Sequence, residues 1–443
     1  MKKSLIALGV ALLCIGASAQ DLKTGYFLDN YLYGYRLNPA IQTEAADNFI
    51  GVIFGDTGIG LNSDLGLSNF LFPTDNGLVT GFNSAVSASE FLSGLKKSNK
   101  LTMDVNENIF ALGHRAKDGM GFWTLECNVK SSSGLSAPFE MFEYLKAGVS
   151  TGISRYTISD INFTSKNYYE LALGYSRKIG DRLKVGATVK GLVGMGYLDV
   201  NVSSLTIDTR TSPQIASGNG TMTAAFPMID IPVDSDGYMD FSEIKSGSNG
   251  FSGLGAAVDL GVEYEVFDGL TVSAAALDLG AMAWKKSLYG ELGDYSFYIL
   301  ENETIGDNLA DMLRFKSESA KGMELDMLCP QVNFGARYVL PFAQKVSLGA
   351  LYSFRFGSSI YSHADFRAGV TYTPSRVISL TTNLGINNYG TCVGAALNLN
   401  AGPVNFFAGI DGVFINVTPQ FVPINAVNAM AKAGISFMIG RKK

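Results

Sequence analysis

From Tyr169 to Ile179 the side chains alternate strictly. Tyr169, Leu171, Leu173, Tyr175 and Ile179 occupy one parity, and Glu170, Ala172, Gly174, Ser176 and Lys178 the other. A period of two predicts a strand with one oily and one polar face. After Gly180-Asp181 the alternation restarts with Leu183, Val185, Ala187, Val189 and Val193. A two-residue, glycine-containing connection between two such runs predicts a hairpin. The device recurs at Asp268-Gly269 and around Pro341 to Gln344. Followed along the chain, it predicts strands near 49–61, 101–114, 118–131, 166–179, 182–199, 253–267, 270–284, 326–340, 345–357, 364–373, 377–387, 391–400, 403–416 and 430–440.

Many of these runs hold ten or more residues, against about five or six in soluble sheets and about nine to eleven in a tilted membrane strand. Connections near 116, 180, 268, 342, 375 and 401 are short, whereas 62–100, 132–165, 200–252 and 285–325 are long. Short turns at one end and long loops at the other are the signature of a bacterial outer-membrane barrel with its termini in the periplasm. The expected fold is therefore all-β: a transmembrane antiparallel up-and-down barrel of about 14 strands. Tyr264, Phe267, Tyr338, Phe342, Tyr372 and Phe437 fall near the periplasmic ends, where an interfacial girdle is expected. Two places resist the pattern. Glu107 lands on the oily parity of the second strand, and the first strand carries two competing phases.

Composition agrees with this reading. Glycine is abundant at 50 residues, aromatics reach 11 %, and charged residues only 17 %, against roughly 25 % in soluble domains. The opening "MKKSLIALGVALLCIGASAQ" has a lysine pair, an apolar run and Ala17-Ser18-Ala19, which predicts a signal peptide over 1–19. No later apolar run is long enough for a spanning helix. Loss of Lys2 and Lys3 would make the chain still more acidic than its net −6, which argues against nucleic-acid binding. Cys127, Cys329 and Cys392 would remain, as inert thiols in preference to a Cys329–Cys392 bridge.

No nucleophile triad, metal-spaced Cys/His set or phosphate loop is legible, so no enzyme activity, cofactor or metal is expected. His114 and His363 are expected as solvated turn and loop residues. The polar parity carries Glu170, Lys184, Lys190, Asp259, Glu263, Glu265, Arg337, Arg355, Arg367 and Asp411. Facing a lumen, such charges need partners or water, and their mixed signs predict pairing. They would form either a solute path or a polar network that fixes wall and contents. "SASEFLSGLKK" (87–97) and "SAPFEMFEYLKAG" (136–148) read as short amphipathic helices in outer loops.

"YGYRLNPAIQ", residues 33–42, precedes the first strand. With its Asn38-Pro39-Ala40, the chain resembles the FadL-like superfamily of outer-membrane barrels. "YLYGYRLNPA", "LGLSNFLFP", "SASEFLSGLKK" and "YYELALGYSRKIGDRLKVGA" are similar to a family of outer-membrane proteins of gut anaerobes known only as a domain of unknown function. The resemblance implies a monomeric barrel (48–443) whose N-terminal segment (20–47) lies inside as a plug or hatch, with Tyr33, Tyr35, Arg36, Asn38, Pro39 and Ala40 as its residues. It implies passive uptake of hydrophobic or small solutes across the outer membrane of a Gram-negative bacterium, in contact with lipid and lipopolysaccharide. Some FadL-like barrels instead serve as docking scaffolds for surface or secreted proteins, which is the alternative. Chemistry fits an interior segment: proline lacks a ladder donor and restricts its neighbour, and tyrosine hydroxyls would find partners in a polar lumen.

Overall fold

The computed structural model describes residues 21–75, 77–147, 152–241, 244–247, 250–297, 312–358, 360–412 and 427–440. The expected signal peptide and positions 413–416 lie outside them. Fourteen antiparallel strands form the wall: β1 (Asn48–Val52 and Thr57–Ser63), β2 (Ser98–Arg115), β3 (Gly121–Pro138), β4 (Ile161–Ile179), β5 (Leu183–Asp208), β6 (Gly253–Phe267) and β7 (Leu270–Lys285), then β8 (Met323–Met327 and Gln331–Leu340), β9 (Ala343–Arg355), β10 (His363–Ser375), β11 (Ile378–Asn387), β12 (Gly390–Ala401), β13 (Val404–Gly412) and β14 (Val427–Ile439). β1 pairs with β2 on one side and β14 on the other, which closes the barrel.

The oily parity faces out. On β11, Leu380, Leu384 and Ile386 are exposed while Ser379, Thr381 and Asn383 are buried, the inverse of a soluble core and the arrangement of a lipid-facing wall. Among the described residues no helix is long and apolar enough to cross a membrane; the strands do the crossing. Tyr264, Phe267, Phe342, Tyr372 and Phe437 are exposed at the turn-bearing end.

The wall is uneven in height. β2 to β7 run 15 to 26 residues, whereas β9 to β14 run 9 to 13. β5 extends to Asp208, nine residues beyond expectation, because its outer half has a second partner in Gln214–Ala225. That strand in turn pairs with Leu288–Leu292 and Tyr295–Phe297. Thus 200–252 and 285–325, expected as loops, contribute an outer cap. Its apolar core joins Phe91, Phe142, Tyr156, Leu205, Ile207 and Phe297. Both expected helices exist in shortened form: α1 (Ala88–Ser93), where Ser87 accepts from the Glu90 amide, and α2 (Phe139–Ala147). α2 starts late because Ser136–Pro138 still pairs within β3.

The two phases of the first strand are both real. Gly51 pairs with Ser436 and Thr57 with Ala433, so six residues of advance on β1 match three on β14. The surplus is a bulge at 53–56 that departs from regular pairing and keeps one backbone bond to each neighbour, Ile53 donating to the Ile109 carbonyl and Ile435 to the Phe54 carbonyl. Even-numbered residues face out below it (Ile50, Val52) and odd-numbered ones above it (Ile59). Ile53 and Phe54 turn with φ of 23° and 71° and carry their side chains outward at 67 % and 63 % exposure.

Candidate functional site: the filled lumen and the break in its wall

Residues 21–47 occupy the lumen as a run of short turns, including 3-10 turns at Lys23–Phe27 and Gly34–Arg36. Such a segment has few internal backbone bonds, so wall side chains must satisfy it. They do so on many sides. Asp411 accepts from the Lys23 amide at 2.8 Å, Thr371 donates to the Phe27 carbonyl at 2.8 Å, Asn398 donates to the carbonyls of Asp29 and Asn30, and Asn333 donates to that of Leu37. Tyr26 bonds Ser273 at 2.9 Å and Tyr33 bonds Ser436 at 2.7 Å.

Asn38-Pro39-Ala40 lies directly against the backbone of the wall. The Asn38 side-chain oxygen accepts from the Ala40 amide at 2.9 Å, an Asx turn, while its nitrogen donates to the carbonyls of Val262 and Ala274 on β6 and β7. The backbone can come this near because the wall beneath is glycine. A Cβ on Gly261 would overlap the Asn38 oxygen, and one on Gly186 the Pro39 carbonyl.

Arg36 is the electrostatic centre of the segment. Its guanidinium donates to Glu126 at 2.7 and 2.9 Å, to Asn128 at 3.0 Å and to Asp56. Tyr35 donates to the same Glu126 at 2.8 Å. Asp56 is the last residue of the β1 bulge, fully buried, and it also pairs with Lys432 at 2.8 Å; Lys432 reaches Asp21 at 2.7 Å. The interior segment is therefore tied by charge to the irregular part of the wall. Tyr31, Tyr33 and Tyr35 pack there against Phe49, Phe122 and Phe407.

The wall charges fall into separate groups. Lys190 sits between Asp259 at 2.7 Å and Asp278 at 2.6 Å, with Glu170 at 3.8 Å, and Glu170 pairs with Lys130 at 2.9 Å. Arg355 lines the same cavity, pairs with Asp104 at 3.6 Å and stacks on Tyr361. Arg367 joins Asp365 at 2.8 Å and Asp411 at 2.6 Å, and Lys23 reaches Asp365 at 3.3 Å. Lys184 pairs with Glu263 at 3.3 Å, Arg337 with Asp29, and Glu265 accepts from the Gly269 amide at 3.4 Å; these four wall residues lie toward the end with the short turns, away from the cavities between the charged groups. The spaces between the charged groups are about 40 and 20 Å³, room for a few waters and no solute.

Parity reasoning missed Asp56, Glu126, Lys130, Asp278 and Lys432. Lys432 stands between Ala431 and Ala433, a polar interruption that parity could have flagged. Asp278 was hidden by a bulge at which it adopts φ 57° and its amide donates to Asp259. His363, expected in solvent, is buried 3.3 Å from the Lys23 ammonium because β10 begins at that residue; His114 stays exposed beside Asn48. The three described cysteines are free thiols.

Outside the break, β1, β2 and β11 to β14 leave an apolar groove of about 930 Å³ on the lipid face. Phe54, Ile59, Phe406, Ile410 and Ile435 form its sides and alanines its floor.

The sequence profile of a family of unknown function (DUF5723) matches residues 39–411. No curated protein matches the chain. Among solved structures, it is similar to the toluene transporter TbuX of Ralstonia pickettii (9 % identity, 96 % of each chain, TM-score 0.46) and to a FadL homologue of Pseudomonas aeruginosa (11 % identity, 95 % of this chain and 98 % of that one, TM-score 0.45). It is also similar to the Pseudomonas putida toluene transporter TodX (9 % identity, 95 % and 98 %, TM-score 0.44).

Proposed function

This chain belongs to the DUF5723 family, and we propose that it is an outer-membrane channel of a Gram-negative bacterium that passes small hydrophobic solutes sideways into the bilayer, with residues 20–47 as its hatch. The observation that carries the reading is the bulge at 53–56. It is the place where the regular pairing of β1 with β14 is interrupted, leaving the single bond from the Ile435 amide to the Phe54 carbonyl, and where the interior segment is ion-paired to the wall, and an apolar groove lies outside it. A solute that is poorly soluble in water gains little from a wet pore and much from an apolar exit. The small cavities describe a closed state, so passage requires the hatch to shift. Because Arg36 bonds Asp56 directly, a shift of the hatch changes what holds the bulge in place.

Deleting Ile53–Gly55 removes the three surplus residues and lets β1 pair continuously with β14. Uptake of a radiolabelled neutral hydrocarbon by cells expressing this variant should fall to that of cells without the protein, while the barrel keeps its heat-modifiable migration on a denaturing gel. Undiminished uptake would refute the lateral route. Background uptake by the wild type as well would favour the docking-scaffold role.

A further inference from the structure

Glu107 is an acidic side chain on the outward face of β2, following Leu101, Met103 and Val105 on the same parity. It stands opposite Thr57, at the upper edge of the β1 bulge. Its two carboxylate oxygens are both engaged: one accepts from the Phe54 amide at 3.2 Å, the other from the Thr57 hydroxyl at 2.7 Å. The Phe54 amide belongs to the bulged stretch, where no neighbouring strand's carbonyl accepts it, and a backbone donor without a partner at the lipid face is costly. The glutamate therefore satisfies the bulge from outside. A glutamine could accept from the Phe54 amide with its one oxygen and donate its NH2 to the Thr57 hydroxyl, so this task alone does not call for a charge.

What the carboxylate adds is a negative group at the rim of the exit, next to a groove whose lining includes Phe54 and Thr57. On the lumen side of the same bulge lies Asp56, and the cations that reach it are already shared, Arg36 with Glu126 and Lys432 with Asp21. An anionic head group moving through the break thus meets a carboxylate on each face, with the neighbouring cations already engaged. In a low-dielectric surrounding, like charges repel far more strongly than in water.

We infer that Glu107 is a specificity-determining residue of the exit: neutral hydrophobic solutes pass it, and anionic amphiphiles such as fatty-acid carboxylates are turned away. The inference rests on the lateral-channel reading and names the substrate class of that route. The groove, at about 930 Å³, is of the size that receives drug-sized apolar molecules, so the hydrocarbon part of either class would fit and the head group decides. Discrimination here comes from a repulsive element, a device specific sites commonly use.

The test compares octanol with octanoate, both radiolabelled, at pH 7 in Gram-negative cells that lack other hydrophobic-solute channels. The wild-type protein should accelerate octanol entry and leave octanoate near background. Glu107→Lys and Glu107→Gln should each move the octanoate-to-octanol ratio toward octanoate, by roughly tenfold for the charge reversal and less for the amide. Gel heat-modifiability confirms folding, and Glu107→Gln, which retains an acceptor oxygen for the bulge, carries the test where the lysine variant does not fold. Equal entry of both probes through the wild type, or an unchanged ratio in the folded variants, overturns the inference while leaving the channel standing. If neither probe enters faster than in cells without the protein, the channel reading itself fails and the inference falls with it.

Discussion

Along the tall side of the barrel, β3 to β7, the lumen charges mostly satisfy one another. Lys130, Glu170, Lys190, Asp259 and Asp278 form a continuous cross-strand chain. Along the short side, and at the bulge of β1, wall charges are completed by the interior segment: Asp56 by Arg36, Lys432 by Asp21, and Asp365 and Asp411 by Lys23. Removing the segment would leave that five-residue chain paired, but would strand Glu126 on β3 and leave the bulged side with carboxylates short of partners. Self-sufficient pairing makes a wall independent of what fills the lumen, while borrowed pairing makes a wall whose charges depend on it.

Several substitutions would break or sharpen this contrast. Arg36→Ala strands Asp56 and Glu126 in the interior, and losing one partner of a buried pair costs about 3–5 kcal/mol. Hydrogen exchange followed by mass spectrometry should show faster exchange in 21–47 and in the β1 bulge. Lys190→Met, which strands Asp259 and Asp278 on the tall side and leaves Glu170 to Lys130, should destabilise the barrel by a similar amount, about 3–5 kcal/mol, with exchange in 21–47 unchanged. Equal loosening of the segment by both variants would erase the distinction. Leu205→Ala, in the core of the outer cap, should cost about 2–5 kcal/mol and show its effect in cap peptides alone. Gly261→Ala pushes a methyl into Asn38, an overpacking worth about 1–3 kcal/mol, read as faster exchange near 36–42.

The smallest effect concerns the outer hairpin at Asp234. Its carboxylate accepts from the amides of Asp236 and Tyr238 and pairs with Arg314 at 2.7 Å. Those backbone amides, with the arginine, hold its pKa below the ordinary carboxylate value. A lowered folded-state pKa contributes stability above the unfolded pKa, and that contribution fades as the pH falls through the folded value. The hairpin should therefore loosen only in acid, below the usual aspartate range. Exchange at 234–240 should lose that acid dependence in Asp234→Asn.

Much of the fold was legible because parity survives translation into a barrel: period two, long runs and alternating connection lengths require no knowledge of partners. The reading stopped where the period slips. β5 appeared to end at 199 because its buried apolar side moves from Val202 to Leu205 and Ile207 across Ser203-Ser204, where its pairing with Gln214–Ala225 skips Ser203. The first strand looked ambiguous because its register truly changes at 53–56. Glu107 looked misplaced on an oily face, and it does face outward, bonded to that change of register. The pairings of Arg36 join residues 20 to 90 positions apart, and no local pattern encodes such a distance. Irregularities in an otherwise regular pattern marked the candidate site better than any motif.

The central claim, that the interior segment must move for solute to pass, is tested most directly by a reversible tether. The Asp29 amide donates to the Ser379 hydroxyl of β11 at 3.0 Å, so Asp29→Cys with Ser379→Cys brings a thiol of the segment beside a thiol of the wall. Uptake of a neutral hydrocarbon should drop to the level of cells without the protein when this pair is oxidised and recover on reduction. Uptake that is equally fast in the oxidised and reduced forms would contradict the account.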